Sequence, residues 1–365
     1  MDQYKDNLTV GQMELMKRYD GYEMHVYPSH RTCSFADWVY ERSKKNAGRS
    51  YLDDDDIYLQ DGWGPFLFPI PNSGAEAIWN HTLGFVGDGK IGYSAIIVPT
   101  KGGSFTVVHE RERFFPLFGD ASIDSIEDAN GIATYFLLEK LGPARLAGEV
   151  VLVHEMVNEK RRAWTYNPGQ RRVRRAPTVA YDNPIVATES LMTNDQGRLF
   201  NGELDRFDFK LMGKKEIYVL YNNFALDISP LSYKEIFGPK YPRRDLLRYE
   251  LHRVWVVEAT VREGKRHLFS RRTFYLDEDS WIAVAEDIYD KRGKIWRVME
   301  EAPKLVWEVP TCAADGGFSY DLIAGRYVAD RQKTHEPVQI WNARSKGLVD
   351  EDEFTPDALR RMGRR

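Results

Sequence analysis

The sequence predicts a mainly β (α+β) protein built on one large, curved antiparallel sheet, with helices and a wrapped N-terminal segment against one face. Three observations predict it. Between Tyr249 and Glu300, four apolar runs are separated by three short breaks, Arg262–Lys265, Asp277–Ser280 and Asp290–Gly293, and breaks of this length join antiparallel neighbours. Aromatic residues are plentiful (20 Tyr, 18 Phe and 9 Trp), which favours β structure or an aromatic-lined pocket. No strand–helix–strand alternation is present, which counts against a Rossmann or TIM-barrel enzyme.

Residues 1–90 read as a helical and irregular wrapping segment. Thr9-Val10-Gly11-Gln12 fits a capping box for a short helix through Arg18. Ser34 is the expected cap of a helix over Phe35 to Asn46. Ser73-Gly74-Ala75-Glu76 is a second capping box, opening a helix through Leu83. Between them, Gly62 to Pro71 is an extended, proline-punctuated stretch packed on something larger.

Residues 91–330 read as the β domain. Strands are predicted at Ser94–Val98, Ser104–Phe115, Ala133–Leu141, Glu149–Val157, Ala163–Tyr166 and Glu216–Tyr221, with a short helix over Ile123–Asn130 and a small capped helix at Ser232. Residues 182–215 look looser. In the strand from Tyr249, Leu251, Trp255, Val257, Ala259 and Val261 share one face. Glu250, His252, Glu258 and Thr260 share the other with Val254 and Val256, so one face should be dry and the other wetter. Gly317–Asp330 adds one more strand. Residues 331–365 form a tail whose terminal helix starts at Thr355-Pro356-Asp357, with Thr as cap and Pro at the first helical position.

The densest chemical signal is the hairpin in Trp164–Asp182. An aromatic strand turns at Asn167-Pro168-Gly169-Gln170 into a strand carrying Arg171, Arg172, Arg174 and Arg175, which ends at Pro177. Three readings stand open: structural ion pairs to Asp182, Asp205, Asp208 or Glu216; a rim for a phosphate or carboxylate head group; or a docking patch for an acidic partner. Alternation puts Arg172 and Arg174 on one side and Arg171 and Arg175 on the other, so one site cannot use all four without a bulge.

Charge and motifs exclude several classes. A formal net charge of −4 argues against a dedicated nucleic-acid binder. No apolar run is long enough to span a bilayer. The start, Met1-Asp2-Gln3-Tyr4-Lys5, does not read as a signal peptide, so the protein is cytoplasmic or the sequence begins downstream of a removed segment. Cys33 and Cys312 allow one disulfide, with two unconnected thiols equally open. Gly87–Gly92 satisfies G-x-G-x-x-G, but the run after it, Tyr93–Val98, is β-like rather than helical, so it reads as a turn. His154-Glu155 lacks the second histidine of H-E-x-x-H, and in a strand i and i+4 lie about 13 Å apart. No metal, cofactor or catalytic residue is expected.

The segment A-W-T-Y-N-P-G-Q-R-R-V-R-R-A-P-T-V-A-Y-D, with Y-E-L-H-R-V-W (Tyr249–Trp255), W-N-H (Trp79–His81) and P-A-R-L-A-G (Pro143–Gly148), closely resembles the proteobacterial domain of unknown function 1329. The likeness covers nearly the whole chain. That family is described as similar to outer-membrane lipoprotein-sorting proteins of the LolA and LolB type. The resemblance implies a half-open antiparallel β-barrel closed by a helical lid. It also implies a periplasmic location in a Gram-negative envelope, an acyl-chain cargo and work beside exporters of the resistance-nodulation-division type. Family members normally begin with a secretory signal, so the resemblance also implies a truncated N-terminus here.

The expectation is therefore a non-enzymatic periplasmic carrier or chaperone for a lipid, a sterol-like molecule or a lipoprotein acyl chain. Trp164, Tyr166, Trp255 and Phe274 are expected to form the groove or its base, and Arg172 and Arg174, or their opposite-facing neighbours, to meet a head group. The alternative is an envelope docking or assembly protein using the hairpin, Arg171 and Arg175 included, as its partner surface. A hydrolase with an unrecognised site ranks last.

Overall fold

The computed structural model of the chain describes residues 2–176 and 181–362, the side chains of Asp2 and Asp315 excepted. Pro177, the expected end of the arginine strand, lies outside the described residues.

The N-terminal segment carries α1 (Val10–Arg18), β1 (Val26–Tyr27), α2 (Asp37–Asn46), β2 (Tyr51–Leu52), β3 (Leu59–Asp61) and α3 (Gly74–Thr82). Thr9 caps α1 in the full box predicted, its hydroxyl taking the Gln12 N–H and the Gln12 side chain returning to Thr9 N. Ser34 is not a cap; α2 begins later, behind Ala36, with no side-chain cap. At α3 Ser73 accepts from Glu76 N, but the Glu76 carboxylate goes to Asn72 N, so only half the expected box forms.

The remaining strands are β4 (Lys90–Pro99), β5 (Phe105–Pro116), β6 (Ile132–Gly142), β7 (Val150–Met156), β8 (Arg162–Asn167), β9 (Arg172–Arg175), β10 (Phe207–Leu220), β11 (Tyr249–Val261), β12 (Arg271–Asp277), β13 (Ala283–Tyr289), β14 (Ile295–Val306), β15 (Thr311–Asp321), β16 (Arg326–Gln332) and β17 (Ile340–Trp341). Short helices α4 (Phe224–Asp227) and α5 (Tyr233–Ile236) precede β11, and α6 (Pro356–Met362) closes the chain. Apart from the β2–β3 pair, all strands join a 15-stranded sheet. Its antiparallel path runs β10-β11-β12-β13-β14-β15-β16-β4-β5-β6-β7-β8-β9, with β1 parallel on β11 and β17 on β4. Among the described residues the end strands β9 and β10 do not pair, so the sheet is open.

Three predictions need correction. The short helix over Ile123–Asn130 is a set of turns. The loose stretch before Glu216 holds more than half of β10, whose residues alternate between inward and outward positions from Phe207 to Ile217; the register with β11 shifts at a bulge between Leu211 and Gly213, and Gly213 and Lys215 at inward positions hide the pattern in the sequence. The single strand expected over Gly317–Asp330 is two, β15 and β16, joined by a turn.

The N-terminal segment covers both faces rather than one. α1 lies on β13 and β14: a Cβ on Gly11 would sit 2.3 Å from Asp287 Oδ1 and 2.6 Å from Val298, so only glycine permits that approach. On the opposite face Trp63, Leu67, Phe68 and Ile78 join one core with residues from both halves of the sheet, including Val98, Leu137, Leu152, Val257 and Phe274. The face expected to be wetter is dry at its start. Glu250 (0% exposed) and His252 (4%) are buried because residues 25–33 cross over them; His30 N donates to Glu250 Oε2 and Arg248 Nε to Oε1, both at 2.6 Å. Cys33 and Cys312 are bonded, tying this crossing segment to β15. Among the described residues no helix is long and apolar enough to cross a membrane.

Candidate functional site

Where the two halves of the sheet meet, a cavity of about 250 Å³ opens between β5–β7, the C-terminal end of α3, the loop 197–204 and strands β15–β17. Its apolar wall includes Trp79, Leu83, Val86, Phe114, Phe136, Met156 and Trp341. Strand alternation aims Phe114 and Phe136 the same way from paired positions, their rings 6.5 Å apart. Trp79 gives its indole N–H to Ile57 O at 3.1 Å, which satisfies its polar edge within the fold.

Charged residues interrupt this wall, and nearly all are paired. Lys90 meets Glu112 at 2.7 Å and Arg161 meets Glu155 at 3.2 Å. Arg331 donates to Glu301 at 2.6 Å and Asp330 at 2.9 Å. Glu159 pairs with Arg162 at 2.8 Å, and Glu203 accepts from the Tyr181 hydroxyl. Burial pushes the Glu155 carboxyl up, with Arg161 opposing. Arg198 is different: its side chain has no hydrogen bond or ion pair among the described residues. Burial lowers its guanidinium to about 10, and Arg331 adds to that while Glu301 and Glu112 oppose it.

The loop that carries Arg198 is held from below. Asp195 accepts from Arg272 Nη1 at 2.7 Å and contacts His267 Nε2 at 3.0 Å. Arg272 Nη2 also donates to Leu199 O at 2.8 Å, and His81 Nε2 lies 3.1 Å from Phe200 O. Arg198 and Leu199 both adopt left-handed backbone, φ +55° and +66°, a conformation non-glycine residues keep only where their surroundings impose it.

None of the six expected ligand-binding residues lines this cavity. Trp164 packs against His154, ring centroids 4.8 Å apart, and Tyr166 is buried in the core. Trp255 stacks on Trp281 at 6.0 Å, with Lys214 over its ring at 4.3 Å. Phe274 is fully buried 5.5 Å from Phe200.

Arg172 and Arg174, with Arg171 and Arg175, are exposed on the hairpin at the end of the sheet. Arg171 belongs to the turn, at φ +50°. None of the four makes an ion pair among the described residues. The expected acidic partners are occupied elsewhere: Asp182 by Leu268 N, Asp205 by Lys265, and Asp208 by Arg262. Glu216 offers its backbone carbonyl to Asn7.

Sequence reasoning missed Arg198, Arg272 and the Lys90–Glu112 pair. No local motif flags them; a lone arginine after Asp-Gln-Gly reads as a turn. One further cluster, His252, Asp277 and Asp279, brings three potential ligand atoms within 4.8 Å. Within it His252 Nε2 lies 3.2 Å from Glu250 Oε2, Asp277 Oδ2 accepts from the Ser280 hydroxyl at 2.6 Å, and Arg31 Nε donates to Asp279 at 2.7 Å.

A family model described as a protein of unknown function, DUF1329, matches residues 1–360. The uncharacterized protein PA3922 of Pseudomonas aeruginosa is 41% identical over 369 residues, covering 100% of this chain and 80% of that protein. Among solved structures, a Vibrio parahaemolyticus domain named for outer membrane lipoprotein sorting superposes with a TM-score of 0.53. It shows 13% identity over 79% of this chain and 98% of its own. A DUF1329 family protein from Desulfovibrio piger gives 0.48 at 13% identity, over 75% and 92% of the two chains. The family match and the relative that aligns with the whole of this chain lead to one conclusion: this chain belongs to the DUF1329 family.

Proposed function

We propose that the protein is a periplasmic carrier or chaperone that shelters the apolar part of a hydrophobic or amphipathic molecule in this cavity without transforming it. The observation that carries the reading is the cavity itself, about 250 Å³ behind a largely aromatic and aliphatic wall. A cavity of about 150 Å³ admits benzene, so there is room here for one chain segment or a small ring system. Each methylene moved out of water contributes ~0.8 kcal/mol, which suffices without a cofactor. The Cys33–Cys312 bond suits an oxidising compartment.

Native mass spectrometry on protein taken from cell envelopes, followed by solvent extraction, tests this. The expected result is a mass excess that disappears on extraction. Protein that is empty from every preparation and refuses every apolar probe would end the reading.

A second reading is favoured by the four exposed arginines without ion-pair partners: an envelope docking surface for an acidic partner. Charge reversal at Arg174 and Arg175 separates the two, since docking predicts lost partner capture with cavity binding intact.

A further inference from the structure

We infer that Arg198 makes the cavity selective for a single-tailed amphiphile with an oxyanion head, a carboxylate or a phosphate monoester. The inference rests on the carrier reading and names the ligand class for that same site. Arg198 lies deep in the fold yet is only partly buried, because part of its surface faces the cavity it lines. Its guanidinium has five N–H donors, and none is engaged among the described residues. The carboxylates that act on it most, Glu301 and Glu112, are already held by Arg331 and Lys90.

What tolerates an unmatched cation here is visible. Arg198 Nη2 is 3.9 Å from the position a Cβ on Gly84 would take, just past the end of α3, whose last carbonyls carry partial negative charge. That is a fraction of a counter-charge, and it leaves the guanidinium fork short of an acceptor.

The position is also prearranged. Leu199 O and Phe200 O, one and two residues on, are pinned by Arg272 and His81, and the left-handed pair Arg198–Leu199 is locked between those pins and Asp195. Strained backbone held this firmly marks positions whose placement matters. A planar guanidinium presented across an apolar wall matches an oxyanion through paired hydrogen bonds, while the wall takes the tail.

The test uses the full chain and displacement of a neutral apolar fluorophore by decanoate, decyl phosphate, decanol and decyltrimethylammonium, with acetate and inorganic phosphate as tail-free arms. Decanoate or decyl phosphate should bind at least tenfold tighter than decanol and the ammonium compound; whichever is tighter identifies the head. In Arg198→Met that preference should vanish while decanol binding stays within about threefold, and Arg198→Lys should restore part of it. Equal binding of decanol and the anions by the natural protein would overturn the inference, and needs no variant. So would a preference that survives in Arg198→Met. Acetate or phosphate binding as tightly as the decyl anions would replace it with a small-anion site. If the fluorophore and every decyl compound fail to bind, the carrier reading itself fails; decanol binding with no anion preference sinks only the role of Arg198.

Discussion

Arg272 Nη1 donates to Asp195 Oδ2 at 2.7 Å, with both side chains out of solvent. Arg272 rises from β12 in the middle of the sheet. Asp195 sits three residues before Arg198, so this pair fastens the cavity loop to the rigid part of the fold. The second donation, to Leu199 O, holds the loop on the other side of Arg198. Glu286 Oε1 at 2.5 Å completes the set around the guanidinium.

Arg272→Met should therefore destabilise the protein by roughly 3–5 kcal/mol, because it leaves buried carboxylates without their cation. Urea unfolding followed by tryptophan fluorescence measures it. A loss below about 1 kcal/mol would mean that the pair does not hold the loop.

The buried acids set a pH profile with opposite slopes. Burial alone would raise Asp195, but Arg272 and His267 hold it at about 2, below its usual 3.8. Its contribution is thus present above pH 4 and lost as pH falls through about 2. Burial pushes Glu286 up to about 7 from 4.5 despite Arg272, and Asp287 up to about 6. For these two the folded state keeps protons that the unfolded chain releases, so stability declines as pH rises from about 4 to about 7. Melting temperatures across pH 2–8 should peak near the acid end of that window. Glu286→Gln should flatten the decline on the neutral side.

The Cys33–Cys312 bond links positions 279 residues apart. Replacing both cysteines by serine should lower stability by about 2–5 kcal/mol. It should also speed hydrogen exchange at residues 25–33, which the bond holds over Glu250 and His252. Unchanged exchange there would show that packing alone secures the segment.

Arg174→Glu with Arg175→Glu should leave stability within about 0.5 kcal/mol, since neither residue makes an ion pair among the described residues. A larger loss in a thermal melt would restore the structural explanation of the hairpin.

The sheet was legible where its turns are short. The meander from Tyr249 has tight breaks, the box at Thr9 forms as read, and the helix read after Ser232 is present with Ser232 as its cap. β10 was hidden because the apolar alternation that Phe207, Phe209 and Leu211 begin lapses at Gly213 and Lys215, which hold the next inward positions. The cavity was hidden for a different reason. It is assembled from stretches near residues 80, 112–136, 155–161, 197–204 and 313–341, and no local pattern joins them. The four clustered arginines drew notice and proved to be surface. Of the isolated ones, Arg272 organises the interior and Arg198 lines the cavity, as spacing cannot reveal.

The most direct test is the chain-length dependence of n-alkyl binding to the natural protein and to Val86→Trp, which fills the cavity from its loop side. Affinity should rise about fourfold per added methylene until the wall is covered, and Val86→Trp should abolish binding at an unchanged melting temperature. A flat dependence on chain length, or equal binding by the filled variant, would contradict the claim that this cavity holds an apolar tail.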